Sequence, residues 1–499
     1  MTTLKSATIE PGISAFALYL PPLRVPLERW CDWTGASWSK VKSVAGHSFR
    51  MMAPRESVYT LAANAALKLI LDNDIDPQNV GMLALGTESS TDNSAGAVQV
   101  RGLLDEALRQ LGKAPLSVHC EVPEVKHACL GGIYALKNAA RFVATDGLGQ
   151  QAIVVSVDIA EYALGSSGEQ TQGAGAVAML VESEPKLLAL ELSHCGSASA
   201  YRGADFRKPI RRFFMDAYPS QGRLHDFPVF NGRYSTFCYL DQTRRAFAQM
   251  VSKLGQGAGE VLEESAAVLF HRPYHYMPIQ GMAAIYVQAL LSSDEGRAEL
   301  ESLASSAGVT VEAVMAELEA PSWSMVPQDQ AEASVDPCPA LSAVAKLARR
   351  SEAFGTLVGR KMSLGSELMK QCGNMYTAAL PAWLAAALYD ALGQGLALEG
   401  QRVVALGYGS GDAAEALPMR VVPGWQEAAA RIGFEAALEG AVDLEQSQYE
   451  ALHGGQQVEG FEGLPARGFF VRRIGQENQP RFQDIGLEYW GFEAFEQRS

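Results

Sequence analysis

Three residues sit where folded chains commonly display reactive groups, at the start of a helix or the end of an apolar strand. Cys129 lies in Val125-Lys126-His127-Ala128-Cys129-Leu130-Gly131-Gly132, directly before a helical run over residues 133–145. Unpaired backbone N–H groups and the positive end of the helix dipole gather at such a start. Their field favours a thiolate, the nucleophilic form that can carry an acyl group. Gly131 and Gly132 leave room beside the sulfur. Glu88 follows an apolar strand at 80–85 in Gly86-Thr87-Glu88, where desolvation raises a carboxyl toward proton-transfer duty. His271 ends another apolar strand, at 266–270, and can donate to a thioester carbonyl. Each has a plainer reading alone: an inert buried cysteine, a capping carboxylate, a structural histidine. Together they are the nucleophile, the acid/base and the carbonyl donor that carbon–carbon bond formation between acyl thioesters requires.

The elements that must position them run in the same order twice. Residues 11–20 read as a strand, 56–71 as a helix, 80–85 as a strand and 95–111 as a helix. The cysteine loop and its helix come next, then strands at 151–157 (closing in Asp158), 174–180 and 187–193. In the second half a strand at 266–270 stops at His271. Gly373-Asn374-Met375-Tyr376 opens a helix in the place the cysteine loop held, and Asn374 there has the type of an N-cap. A strand at 402–406 then ends in Gly407-Tyr408-Gly409-Ser410-Gly411, with one more at 417–422. Apolar strands alternating with helices predict an α/β fold with covered sheets, and the repeated order predicts duplication. The expected division is 1–190, carrying the Glu and Cys, then 191–423, carrying the His and Asn. Residues 424–499 form an extension packed on the second half, with its last 25 residues as a surface appendix. Insertions fall near 196–230 and 292–350. The glycine turns at 173–175 and 407–411 fit neither GxxxxGK[ST] nor GxGxxG and serve as tight connections.

The 499 residues are 48% hydrophobic, with a formal charge of −15. An acidic chain of ordinary composition argues against nucleic-acid and anionic-membrane partners, which need a basic surface. Its seven cysteines include no CxxC pair and no Cys/His cluster at metal-ligand spacing, so reduced thiols in a cytoplasmic protein with no metal are expected. The apolar start is cut short by Pro21-Pro22, which does not suit a signal sequence. No stretch approaches the roughly 20 apolar residues of a membrane span.

Nine segments taken together resemble the 3-hydroxy-3-methylglutaryl-CoA synthase family of the thiolase superfamily. They are GTES (86–89), HACLGG (127–132), VDIAEYALG (157–165), GAGAVAML (173–180), ADFRKP (204–209), NGRYSTFCYL (231–240), LFHRPY (269–274), GNMYTAAL (373–380) and GYGSG (407–411). The late FFVRRI (469–474) is also similar, so the resemblance runs in order from about residue 10 to 480. It implies a thiolase-like duplicated five-layered α-β-α-β-α fold and a homodimer. It also implies that Cys129 is acetylated by acetyl-CoA, that Glu88 moves protons at the acetyl methyl, and that His271 orients an acetoacetyl thioester. Asn374, Ser410 and Gly409 match positions near the reacting acyl group; Tyr162, Asp158 and Asp205 match positions that support the site. No metal or prosthetic group is implied, CoA thioesters or an acyl carrier protein being cosubstrates. Isoprenoid or polyketide biosynthesis is the implied setting. A carrier-protein synthase that adds β-branches to polyketides shares all these residues, and Arg207, Lys208, Arg211 and Arg212 offer a basic patch for such a carrier. A ketoacyl-synthase-type Claisen condensation is the more distant reading, against which the GTES glutamate argues. A non-catalytic thiolase-fold subunit would have no need of Cys129, Glu88 and His271 together. The family usually has Asn-Ala-Cys-Tyr where this chain has His127-Ala128-Cys129-Leu130, which removes a hydroxyl beside the nucleophile.

Overall fold

Ten apolar runs hydrogen-bond into one mixed sheet in a computed structural model that describes residues 10–203, 205–206, 227–323 and 335–495. In chain order they are β1 (Gly12–Tyr19), β2 (Val80–Gly86), β3 (Glu124–Val125), β4 (Gln151–Ala160), β5 (Gly173–Glu182), β6 (Leu188–Leu190), β7 (Gly196–Ser199), β8 (Ser265–Phe270), β9 (Arg402–Gly409) and β10 (Ala413–Val421). The path across the sheet is β8-β9-β10-β6-β1-β5-β4-β2-β3, with β7 also paired to β10. Duplication is written in the pairing. β2 runs parallel to β4, β4 antiparallel to β5, and β5 antiparallel to β1. In the same sequence β8 runs parallel to β9, β9 antiparallel to β10, and β10 antiparallel to β6 and β7. β6 also pairs with β1 and so joins the two halves.

The layers follow from the two-residue period of strands. Leu83, Leu85, Ile153, Val155 and Leu180 point to one face, where α1 (Val58–Asp72) and α2 (Gly96–Gln110) cover them. Met82, Ala84, Val154, Val177 and Met179 point to the other, toward α3 (Gly131–Ala144). On the second half, α4 (Gly232–Leu254) and α5 (Tyr276–Ala289) lie outside, where Phe270 packs on Gly281 and Tyr239. Ala267, Leu269 and Val403 face inward onto Leu384 and Leu388 of α6 (Ala379–Gly393). The result is α1/α2, strands, α3/α6, strands, α4/α5: the five layers of a thiolase-like fold. A buried Lys137–Glu415 ion pair (2.5 Å) ties α3 to β10. Thus α3 and α6 are central, and both begin at one point.

Three expectations are corrected. Gly196–Ser199 is not insertion but strand β7, because its backbone completes the second half's sheet. The extension packs largely on the first half. Val442–Asp443 pairs with Leu23–Pro26, the Tyr449 hydroxyl donates to Glu169 at 2.8 Å, and the Phe469 N–H donates to the buried Asn64 of α1 at 2.7 Å. Only the short helices Trp425–Ala429 and Phe434–Leu438 lie against α6. The tail is also no appendix: Glu488–Glu493 pairs with Gly468–Ile474, and Trp490, Phe492 and Phe495 pack against the core under α1.

Candidate active site

The two central helices start with the same turn. Ala128 and Tyr376, each three residues ahead of its helix, both have φ of +42°. A non-glycine residue in the left-handed region costs about 1–3 kcal/mol, and the surrounding structure must hold it there. Cys129 and Thr377 follow at equivalent places, so Thr377 is the structural counterpart of the cysteine. The turns interlock: the Gly132 N–H donates to Thr377 Oγ1 at 2.6 Å, and a Cβ on Gly132 would lie 2.1 Å from Ser156 Oγ. Glycine is therefore needed to bring the cysteine loop against β4.

Asp158, at the C-terminal end of β4, pins the pieces. It is fully buried, and its Oδ1 accepts from Thr87 Oγ1, the Glu88 N–H, the Ser89 N–H and Ser89 Oγ at 2.7–3.0 Å. Its Oδ2 accepts from the Thr377 N–H at 3.0 Å. Burial pushes this carboxyl up to about 6, and five donors keep it a carboxylate at neutral pH. With both oxygens engaged by protein, Asp158 shapes the Glu88 loop and is no direct substrate ligand.

Glu88, so held, receives a hydrogen bond from the Cys129 thiol, with Sγ 3.6 Å from Oε2. The expected thiolate is not the resting form. Burial, then the Glu88, Asp158 and Asp205 carboxylates, push the thiol well above its ordinary value. Cys129 also lies two residues ahead of the first helical residue. Local charge outweighs the helix dipole here, so forming the nucleophile requires handing the proton to a base, and Glu88 is the base in contact.

Around the sulfur stands an aromatic wall that sequence reasoning missed. The Tyr162 ring stands edge-on to Phe206, Phe230 and Tyr376 at centroid distances of 6.4, 5.9 and 6.3 Å, with Cys129 against the cluster. No periodicity in the sequence links residues from four separate segments. The wall excludes water from the thiol, as an acyl-enzyme requires. Asn374 is buried and its Oδ1 accepts from the Tyr376 N–H at 2.9 Å, so it caps the second turn; its side chain also hydrogen-bonds toward Tyr162. His271 is 2% exposed, its N–H donating to the Leu406 carbonyl across the β8–β9 pair. Burial pushes its imidazole down to about 3, so the ring is neutral, and Nδ1 has no partner among the described residues. Gly409 ends β9 where a Cβ would lie 2.6 Å from the His127 carbonyl, and the half-buried Ser410 follows in the turn. Asp205 is buried and accepts from the Tyr408 hydroxyl at 2.8 Å. Arg207, Lys208, Arg211 and Arg212 fall outside the described residues, as does most of the insertion containing them.

Leu130 is fully buried and fills space against β9: a Cβ on Gly407 would lie 2.6 Å from its Cδ1. Leucine and the glycines of β9 thus fit as a set. Leu130→Tyr is expected to overpack this contact and cost about 1–3 kcal/mol. A lower urea midpoint at unchanged m-value would show it; an unchanged midpoint would mean that the tyrosine leaves the core.

Family models of the hydroxymethylglutaryl-coenzyme A synthase N terminal and C terminal match residues 8–186 and 352–450, together more than half of the chain. A hydroxymethylglutaryl-CoA synthase of Haloferax volcanii is 26% identical over 437 residues, covering 86% of this chain and 88% of that protein. The structure is similar to MvaS in complex with 3-hydroxy-3-methylglutaryl coenzyme A, with a TM-score of 0.72 and 27% identity over 97% of this chain and 99% of that one. The HMG synthase of the curacin biosynthetic pathway, solved with holo donor-ACP, shares the fold at a TM-score of 0.69 and 19% identity, covering 97% of this chain and 99% of that one.

Proposed function

The chain belongs to the hydroxymethylglutaryl-CoA synthase family, and from that membership we propose that it joins an acetyl group held on Cys129 to the ketone of acetoacetyl-CoA, giving 3-hydroxy-3-methylglutaryl-CoA. The observation that carries the reading is the Cys129–Glu88 contact of 3.6 Å inside an aromatic wall. In the cycle Glu88 takes the thiol proton, sulfur attacks the acetyl thioester, and CoA leaves as its thiol. Glu88 next removes a proton from the acetyl methyl, whose carbon adds to the ketone while the new alkoxide gains a proton. Water then cleaves the thioester and restores the Cys129 thiol. His271, kept neutral by burial, hydrogen-bonds the second thioester without adding charge. Asn374, Gly409 and Ser410 lie on the acyl side; Tyr162 and Asp205 back the thiol, and Asp158 holds the loop. The cycle draws on protein groups and the CoA thioesters alone, with no resident metal or prosthetic group.

A homodimer is supported by β3, the last strand of the sheet path, which leads into the cysteine loop and offers an edge to a second copy. Seven unpaired thiols suit the reducing cytoplasm. No helix among the described residues is long and apolar enough to cross a membrane. Mass spectrometry of enzyme and products, with acetyl-CoA plus either acetoacetyl-CoA or an acetoacetyl carrier protein, tests the reading. A 3-hydroxy-3-methylglutaryl product on CoA supports it. The same product on the carrier protein alone moves the chain to polyketide β-branching, and a β-ketoacyl product would replace it with a Claisen condensation.

A further inference from the structure

Behind the proposed nucleophile lies a buried cluster that the cycle above does not use. The Tyr408 hydroxyl oxygen is 2.8 Å from Asp205 Oδ2 and 2.9 Å from Asp412 Oδ1. A phenol has one hydrogen to donate, so it satisfies one carboxylate only. The second contact is repulsive unless that acid carries its own proton and donates it to the phenol oxygen. Two carboxyls at 1% and 3% exposure, bridged by one hydroxyl, therefore hold one proton between them.

Their surroundings are consistent with that count. The Gly411 N–H donates to Asp412 Oδ1 at 2.7 Å, and Arg202 Nη1 lies 3.2 Å from Asp412 Oδ2. Arg202 also pairs with Asp241, which Arg244 and Arg245 engage as well, and it stacks on Trp323 at 3.5 Å. From α4 the Cys238 thiol and Tyr234 hydroxyl face the same groups, both neutral because burial pushes them up. Asp205, Cys238 and Asp412 lie close enough to share a metal ion, but the Arg202 guanidinium already supplies a positive charge there. Burial, with Asp205 beside it, pushes the Asp412 carboxyl up to about 8, and such a titration belongs to the pair. Asp205 is in turn one of the charges that oppose a thiolate at Cys129.

We propose that Asp412 is a positioning residue: the proton it shares with Asp205 across Tyr408 keeps a second negative charge away from Cys129, and losing that proton slows acetylation. This deepens the reading of Cys129 as the acyl carrier and rests on it. The sign follows from the count. With the proton in place the pair carries one negative charge; as pH rises through about 8 it gains a second, which opposes thiolate formation.

The test measures the rate of acetyl transfer from acetyl-CoA to the full chain by intact mass, across the range of about pH 6 to 10 that brackets the shared titration. Wild type is expected to slow on the alkaline side. Asp412→Asn keeps an N–H for the phenol oxygen and a carbonyl for the Gly411 N–H but cannot titrate, so its alkaline fall is expected to vanish. The same fall in both proteins, or none in wild type, overturns the proposal. Infrared difference spectra read the proton itself: a protonated-carboxyl band titrating near pH 8 in wild type and absent from Asp412→Asn supports the proposal. Its absence from wild type overturns it even if the variant does not fold, and so does a divalent cation found in the purified protein. Failure of any acetylation at any pH would instead sink the acyl-carrier reading, while the infrared result still decides the shared proton.

Discussion

Cys129→Ala is expected to take up no covalent acetate from radiolabelled acetyl-CoA, where the wild-type protein retains one acetyl group on the cysteine. The sulfur is the only nucleophile that the structure places against Glu88 and inside the aromatic wall among the described residues. Its pseudo-symmetric counterpart cannot substitute. The Thr377 hydroxyl is buried and already accepts the Gly132 N–H at 2.6 Å, and a hydroxyl is far harder to ionise than a thiol. Loss of a sole nucleophile costs on the order of 10⁵–10⁶ in turnover. The variant should remain folded, since exchanging a half-buried thiol for a methyl leaves no large cavity. Equal labelling of both proteins would remove Cys129 from the mechanism.

The second large effect separates the two chemical steps. Glu88→Ala should still be acetylated but should fail to condense, with overall turnover lower by about 10²–10⁴. Two consequences of the substitution oppose each other in the first step. The thiol loses the base that takes its proton at 3.6 Å, and it also loses the first-named charge that holds it protonated. The second step has no such compensation, because the acetyl methyl needs a base within reach and Asp158 is saturated by five protein donors. Intact-mass detection of an acetyl adduct, alongside product analysis with acetoacetyl-CoA, reads both steps in one sample. Normal condensation by the variant would assign the proton transfer to another group.

Much of this was legible in local patterns. The strand ends at Glu88 and His271, the glycines after Cys129, and the repeated strand–turn–helix–strand–strand order are short-range features. They set the nucleophile, the candidate acid/base and the duplicated α/β fold, because apolar runs and turn residues act within a few positions of themselves. Even the counterpart of the cysteine loop at 373–376 is visible that way. What it does there is not: Thr377 binding the Gly132 N–H joins residues 245 apart.

The tertiary structure decided the electrostatics and the assignment of roles. A helix start by itself argues for a thiolate at Cys129; three carboxylates drawn from other segments, with burial, make it a thiol instead. Asp158 reads as a site residue in the sequence, and only its five donors show that it holds a loop. The extension reads as belonging to the second half because it follows it in the chain, yet Tyr449 and Phe469 bind Glu169 and Asn64 of the first. The sequence by itself determined which groups can react and that two similar halves would present them. Coulomb energies and desolvation depend on distances in space, not along the chain, so which group holds each proton, and which merely holds another in place, was settled only by folding.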